Sequence, residues 1–223
     1  MSHCIGRFDK FIEKHKGRNF LIAGTGRNTG IYIDKIKKFI TDKNPIVIGM
    51  NSINRLLIPD YHLFTNNDRI KNYINEVDNK STLLIGSHIN KENLPDRDYA
   101  LIKYTDRNPK EKMEYKNGVI CGYYRVSGLL AVMIAHLMGA KKIYITGKDG
   151  YADTCKKNNG RVHFHDDDRN NINNNKTAEE WKTRYDEPML KVMHDLRNYG
   201  INFSIITPTV FKEFYENTLC ISE

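Results

Sequence analysis

The sequence has few of the features that would place it in an oxidising compartment or a membrane. Its four cysteines stand at 4, 121, 155 and 220, with no Cys-x-x-Cys pair and no zinc-ligand spacing. That leaves free thiols in a reducing cytosol as the expectation. The first ten residues hold no apolar stretch of the secretory kind. No apolar run reaches the ~18 residues of a spanning helix, and the longest, Leu129 to Ala140, is interrupted by His136. The basic residues form no block. Thirty-five Lys and Arg outweigh 27 Asp and Glu, for a net charge of +8, but they are spread along the chain. Such an excess favours anionic ligands. Without an aromatic RNA-binding motif or a helix-turn-helix pattern, nucleic acid is not an expected partner. Lys35, Lys37 and Lys38 share a segment with Ile33, Ile36, Phe39 and Ile40, which reads as the solvated face of an amphipathic helix. There is no internal repeat. The 223 residues, 39% of them hydrophobic, suit one α/β domain with elaborated loops.

What is present is an alternation of short apolar runs and helical patterns. Residues 5–17 read as a short amphipathic helix ending at Gly17. Residues 19–23, 46–50, 61–65, 83–86 and 99–104 read as strands, with helices over 31–41 and 70–77 between them. Residues 106–124 read as an irregular loop over the site. A nearly all-apolar helix over 127–138 follows, stopped by Gly139, and then a strand over 142–146. Residues 151–176 are polar, with Asn158-Asn-Gly and Asn170 to Asn175, and read as a mobile lid. A helix over 177–199, a strand over 201–207 and a terminal helix over 211–215 complete the chain. Alternating strands and helices imply a Rossmann-like three-layer sandwich with a mostly parallel sheet. The whole chain, 1–223, is expected to form that one domain.

Four groups of residues carry candidate chemistry. Gly24-Thr25-Gly26-Arg27-Asn28, with Gly30 beyond, lies between a strand and a helix. Glycines there let backbone N–H groups approach a phosphate, though packing alone would also use them. The spacing differs by one residue from the dinucleotide fingerprint, and no acidic residue ends the second strand to hold a ribose. That strand ends in Asn51, with Asn54 beyond, and the next in Asn66-Asn67-Asp68. Amides at strand tips can read a base or ribose or serve as ordinary turn residues. Arg125, Ser127 and Gly128 precede the apolar helix, and Asp149 and Tyr151 follow the next strand. A guanidinium, a hydroxyl and free helix N–H groups suit a phosphate, and a tyrosine can hydrogen-bond a leaving oxygen. The plainer roles are turn capping for Asp149 and packing for Tyr151. Last, His163-Phe-His165-Asp166-Asp-Asp168 offers a general base or ligands for a divalent ion, or is simply a solvated charged loop. His136, inside the apolar helix, reads as a core histidine.

Leu-Ile-Ala-Gly24-Thr-Gly26, Gly49-Met-Asn51 and above all Arg125-Val-Ser127-Gly128 through Ala-Lys-Lys-Ile-Tyr-Ile-Thr-Gly147-Lys-Asp149-Gly-Tyr151 resemble the small bacterial sialyltransferases that use CMP-sialic acid. They also resemble the wider motility-accessory-factor glycosyltransferase-like domains. The resemblance implies nucleotide contacts at Gly24, Gly26 and Asn51, donor contacts at Ser127 and Gly128, help to the departing phosphate from Tyr151, and a base at His163 or His165. It implies inverting transfer of a sugar from a CMP-linked donor to a glycan or glycolipid hydroxyl, with no cofactor and no metal. A cytoplasmic protein follows, with peripheral contact to a membrane surface and an oligomeric state both open. Two departures bear on this. The family's Asn-Gly-Pro-Ser turn is here Thr25-Gly-Arg-Asn28, and the run of aspartates is foreign to metal-independent transfer. A related branch, the archaeal pterin pyrophosphokinases, uses Mg²⁺, and Asp166 and Asp168 would suit it. A non-catalytic nucleotide-binding module is the remaining alternative.

Overall fold

The computed structural model describes residues 4–106, 108–153, 163–164 and 177–220. In chain order the regular elements are β1 (Cys4–Arg7), β2 (Asn19–Ala23), α1 (Arg27–Ile31), α2 (Ile33–Lys43), β3 (Ile46–Met50), β4 (Tyr61–Phe64) and α3 (Asn67–Tyr73). They continue with β5 (Thr82–Gly86), β6 (Tyr99–Tyr104), β7 (Glu114–Lys116), β8 (Val119–Cys121), α4 (Ser127–Leu137) and β9 (Lys142–Thr146), and close with α5 (Ala178–Trp181), α6 (Glu187–Asn198) and β10 (Phe203–Ile205). Among the described residues the ten strands form one sheet in the order β10-β9-β2-β3-β4-β5-β6-β8-β7, with β1 also paired to β6. Every pairing is parallel except β7 with β8.

The apolar runs explain the sheet's centre. In β2, Phe20 and Ile22 pack on the face covered by α4 and α6, while Leu21 and Ala23 pack on the face covered by α2. A strand buried on both faces reads as a continuous apolar run, as β2 and β3 do. Further along the sheet α3 covers Leu83 and Ile85. The helix α4 has no polar stripe because it has no solvent face: all residues from Leu129 to Ala135 are buried. The architecture is thus a mostly parallel, Rossmann-like sheet flanked by helices.

Three segments depart from the sequence reading. Residues 5–17 are not a helix. Gly6 sits at φ +133, which a helix cannot accommodate, so β1 pairs with β6 and a single 3₁₀ turn (Phe8–Phe11) follows. The apolar spacing came from Phe8 and Phe11, whose rings stack 6.1 Å apart in the core. Residues 106–124 are not simply a loop over the site. Asn117 and Gly118, both with positive φ, make the turn of a β7–β8 hairpin that extends the sheet beyond β6. The helix expected over 177–199 contains a π-helical turn, Lys182–Asp186. Pro188 follows one residue later, as the second residue of α6. It has no N–H to give to the preceding turn, which breaks the regular ladder there. The terminal segment forms a 3₁₀ turn, Lys212–Phe214, rather than an α-helix. Among the described residues no helix is long and apolar enough to cross a membrane.

Candidate functional site

The strand order reverses at β2. From β2 the chain steps outward through β3 to β6, then returns through α4 to β9 on the other side of β2. Loops leaving two neighbouring strands in opposite directions open a crevice beyond their carboxyl ends. Here that crevice has a volume of about 260 Å³. Gly24, Thr25 and Gly26 line it from the end of β2, Asn51 from the end of β3 and Asn66 from the end of β4. Ser127 and Gly128 line it from the head of α4, and Asp149 and Tyr151 from beyond β9. His163 completes this wall, and Ile22, Met50, Ile145 and Met189 add apolar surface.

Each wall is held by local chemistry. The β2 corner is pressed against the β9 corner: a Cβ on Gly26 would lie 2.7 Å from the Gly147 carbonyl carbon and closer still to its oxygen. The glycines therefore serve backbone packing as well as lining the crevice. Thr29 Oγ1 donates to Gly24 O at 2.8 Å and locks the turn. Among the described residues no side chain caps the head of α4. Its N-cap is Val126, with extended φ and no side-chain hydrogen bond, so the first N–H groups of the helix have no intrahelical acceptor. Ser127 Oγ is hydrogen-bonded to Thr65 Oγ1. By contrast Asn66 caps α3, its Oδ1 accepting from the N–H groups of Asp68 (2.9 Å) and Arg69 (3.2 Å). Asn51 sits in the left-handed region at φ +51, which suits a short amide side chain at a tight strand exit.

Electrostatics in the crevice are set by burial. Burial pushes Asp149 up to about 6, although the Asn28 N–H donates to its Oδ2 at 2.9 Å. Burial lowers Lys148 to about 8, against the pull of Asp186 and Asp149. Tyr151 is pushed up to about 12, again by burial, so its phenol stays protonated and is a hydrogen-bond donor. The Tyr151 ring stacks on Trp181 (centroids 5.8 Å) and lies 5.0 Å from Tyr185. Its backbone N–H, and that of Ala152, donate to the Asp186 carboxylate at 2.8 and 3.0 Å. The π-helical turn that carries Tyr185 and Asp186 therefore fixes Tyr151 from both sides. His163 Nδ1 lies 3.1 Å from Thr25 Oγ1 and 3.3 Å from Thr25 O. The Phe164 N–H donates to the same carbonyl at 3.1 Å, so residues 163–164 are pinned to the β2 corner.

Two solved structures of a mammalian sialyltransferase, one in complex with Gal-beta-1-3GalNAc-ortho-nitrophenol, are similar to this chain at 9% and 8% identity. The TM-scores are 0.43 and 0.41, and each match covers 86% of this chain and 70% of the other. A likeness of that size is too slight to bear on chemistry. No family model matches the chain. No curated protein matches it.

Several of the residues read from the sequence do not line the crevice. Asn28 spends its side chain on Pro208, donating from Nδ2 to the carbonyl at 2.7 Å. Arg27 is exposed at the first position of α1 and does not line the crevice. Arg125 turns away: its guanidinium lies over the Tyr185 ring at 4.8 Å and donates to Arg184 O at 3.1 Å. Asn54 serves His62, which is buried, held down to about 4 by burial, and 3.0 Å from both Asn54 Oδ1 and Asn51 O. His136 is half-buried beside Tyr199. His165, Asp166 and Asp168 lie outside the described residues, as does most of the segment read as a lid. Among the described residues no three His, Cys, Asp or Glu side chains gather as metal ligands.

Two lining residues, Arg69 and Lys148, had no role assigned from the sequence. The signals were faint: a lysine directly after the glycine that ends β9, and an arginine three residues after the Asn66 cap.

Proposed function

We propose that the crevice holds a nucleotide-linked sugar and that the protein is a glycosyltransferase acting on a CMP-linked, sialic acid-like donor. What carries this reading is the convergence of six chain segments, around 24–26, 51, 66, 127–128, 149–151 and 163, on one cleft at the reversal point of a parallel sheet. Backbone N–H groups at the head of α4, with the Ser127 hydroxyl, meet the phosphate. Asn51 and the Nδ2 donors of Asn66 meet the nucleoside.

Transfer is a single displacement. The acceptor hydroxyl oxygen bonds to the anomeric carbon as the carbon–oxygen bond to phosphate breaks. The electron pair of that bond leaves on the phosphate oxygen. The acceptor's proton passes to His163. With the Nδ1 proton turned to Thr25, the Nε2 lone pair is the basic one. Tyr151, kept protonated by its surroundings, donates a hydrogen bond to the departing phosphate. Inversion at the anomeric carbon follows. The acceptor is a glycan or glycolipid hydroxyl, and a net charge of +8 would favour contact with an anionic membrane surface.

The test is a thermal-shift panel of CMP, CDP, UDP, GDP, ATP and NAD with EDTA or Mg²⁺. Stabilisation by CMP in EDTA supports the reading. A response to ATP alone, and only with Mg²⁺, would replace it with the pyrophosphokinase. Tight binding with no turnover of any donor would leave a binding module.

A further inference from the structure

Two cationic side chains in the crevice make no salt bridge among the described residues. Arg69 is half-buried in its wall, and among the described residues its guanidinium makes no hydrogen bond or ion pair. Lys148 is also half-buried there, and among the described residues its Nζ hydrogen-bonds only the thioether of Met189, at 3.2 Å. A thioether is a weak acceptor and offers an ammonium no counter-charge. Asp186 and Asp149 act on Lys148 from a distance, but their hydrogen bonds go elsewhere: Asp186 to the N–H groups of Tyr151 and Ala152, and Asp149 to that of Asn28. Removing a charge from water without a partner is costly. Two cations in one cleft with no salt bridge among the described residues, beside the N-terminus of α4, suit an anionic ligand.

We propose that Arg69 and Lys148 are a phosphate clamp: they bind the phosphate of the donor and hold the charge that gathers on it as it leaves, in the place that a divalent cation takes in other nucleotide-dependent transferases. The inference rests on reading the crevice as a nucleotide site, though not on the nucleoside being cytidine. Arg69 offers a planar fork for two phosphate oxygens and Lys148 a point charge. Both approach from walls other than the glycine corner, which is where sequence reading alone would put the phosphate.

The test compares CMP, cytidine and inorganic phosphate as ligands in EDTA, by calorimetric titration and thermal shift, for the wild type, Arg69→Met, Lys148→Met and Lys148→Arg. The wild type should bind CMP more tightly than cytidine. Each methionine variant should lose about 10- to 100-fold of its CMP affinity while keeping its cytidine affinity. Lys148→Arg should retain most of the CMP affinity. Wild-type CMP affinity in both methionine variants would overturn the clamp and leave the donor reading intact, and so would equal losses of CMP and cytidine. If CMP fails to bind the wild type but inorganic phosphate protects it and not the methionine variants, the CMP reading fails and the clamp stands. No protection of the wild type by any of the three overturns both.

Discussion

Asp149 sits at the crevice with a proton affinity set by burial, which makes the variant Asp149→Asn informative. Its carboxyl is pushed up to about 6 from an ordinary 3.8. The folded state therefore binds this proton more tightly than the unfolded chain does. Ionising the group costs the native state, and the stability it contributes is present below pH 3.8 and lost as the pH rises through about 6. At about 1.4 kcal/mol per pK unit the ceiling is about 3 kcal/mol. Asparagine can still accept the Asn28 N–H through its amide oxygen, and it carries no charge to desolvate. In urea titrations followed by circular dichroism, Asp149→Asn should be more stable than the wild type at pH 7. The gain should be up to about 3 kcal/mol, reduced because Lys148 loses a nearby negative charge, and it should shrink toward zero near pH 4. Taking the difference between variant and wild type removes the titrating groups that do not interact with Asp149; Lys148, which does, titrates higher, at about 8. His62 matters for that reason. Burial holds it down to about 4 from 6.5, so its contribution is lost as the pH falls over nearly the same window and opposes that of Asp149 in the wild type. A difference independent of pH would refute the reasoning. So would a variant that is less stable at pH 7, which would mean that Asn28 and Lys148 outweigh burial.

Two glycines should separate packing from binding. Gly26→Ala forces a Cβ into the Gly147 backbone and should cost about 3 kcal/mol, lowering the melting temperature by about 6–12 °C. Gly128→Ala meets only Met50 Sδ, at 3.8 Å, and should fold with unchanged stability while binding CMP more weakly, measured by titration. Once a donor is in hand, His163→Gln should keep donor affinity and lose about 10²- to 10⁴-fold in kcat, read from initial rates. Equal activity would remove the histidine from the mechanism.

The centre of the fold was legible because its strands are apolar runs stopped by Gly24, Asn51, Gly86 and Gly147, and because α4 is apolar on every side. The periphery was less so. Gly6 and Asn117-Gly118 were visible signals, but the apolar spacing of Phe8 and Phe11 and the polar character of 106–118 masked them. The π-helical turn needed Pro188 to be weighed against an otherwise regular helix. Within the site, the strand-tip residues were readable from topology alone, since parallel strands send their carboxyl ends to one edge. Side-chain destinations were not. Asn28 goes to Pro208, 180 positions away, and Arg125 to Arg184 and Tyr185, partners that no local pattern announces. The placing of Lys148 in the crevice, against the Met189 thioether, is likewise a tertiary fact.

Hydrogen exchange with and without CMP, in EDTA, tests most directly whether these corners act as one site. The backbone amides of 24–26, 51, 127–129 and 147–151 should slow together when the nucleotide is added. Protection confined to another face, or no change at any of these corners, would contradict the account.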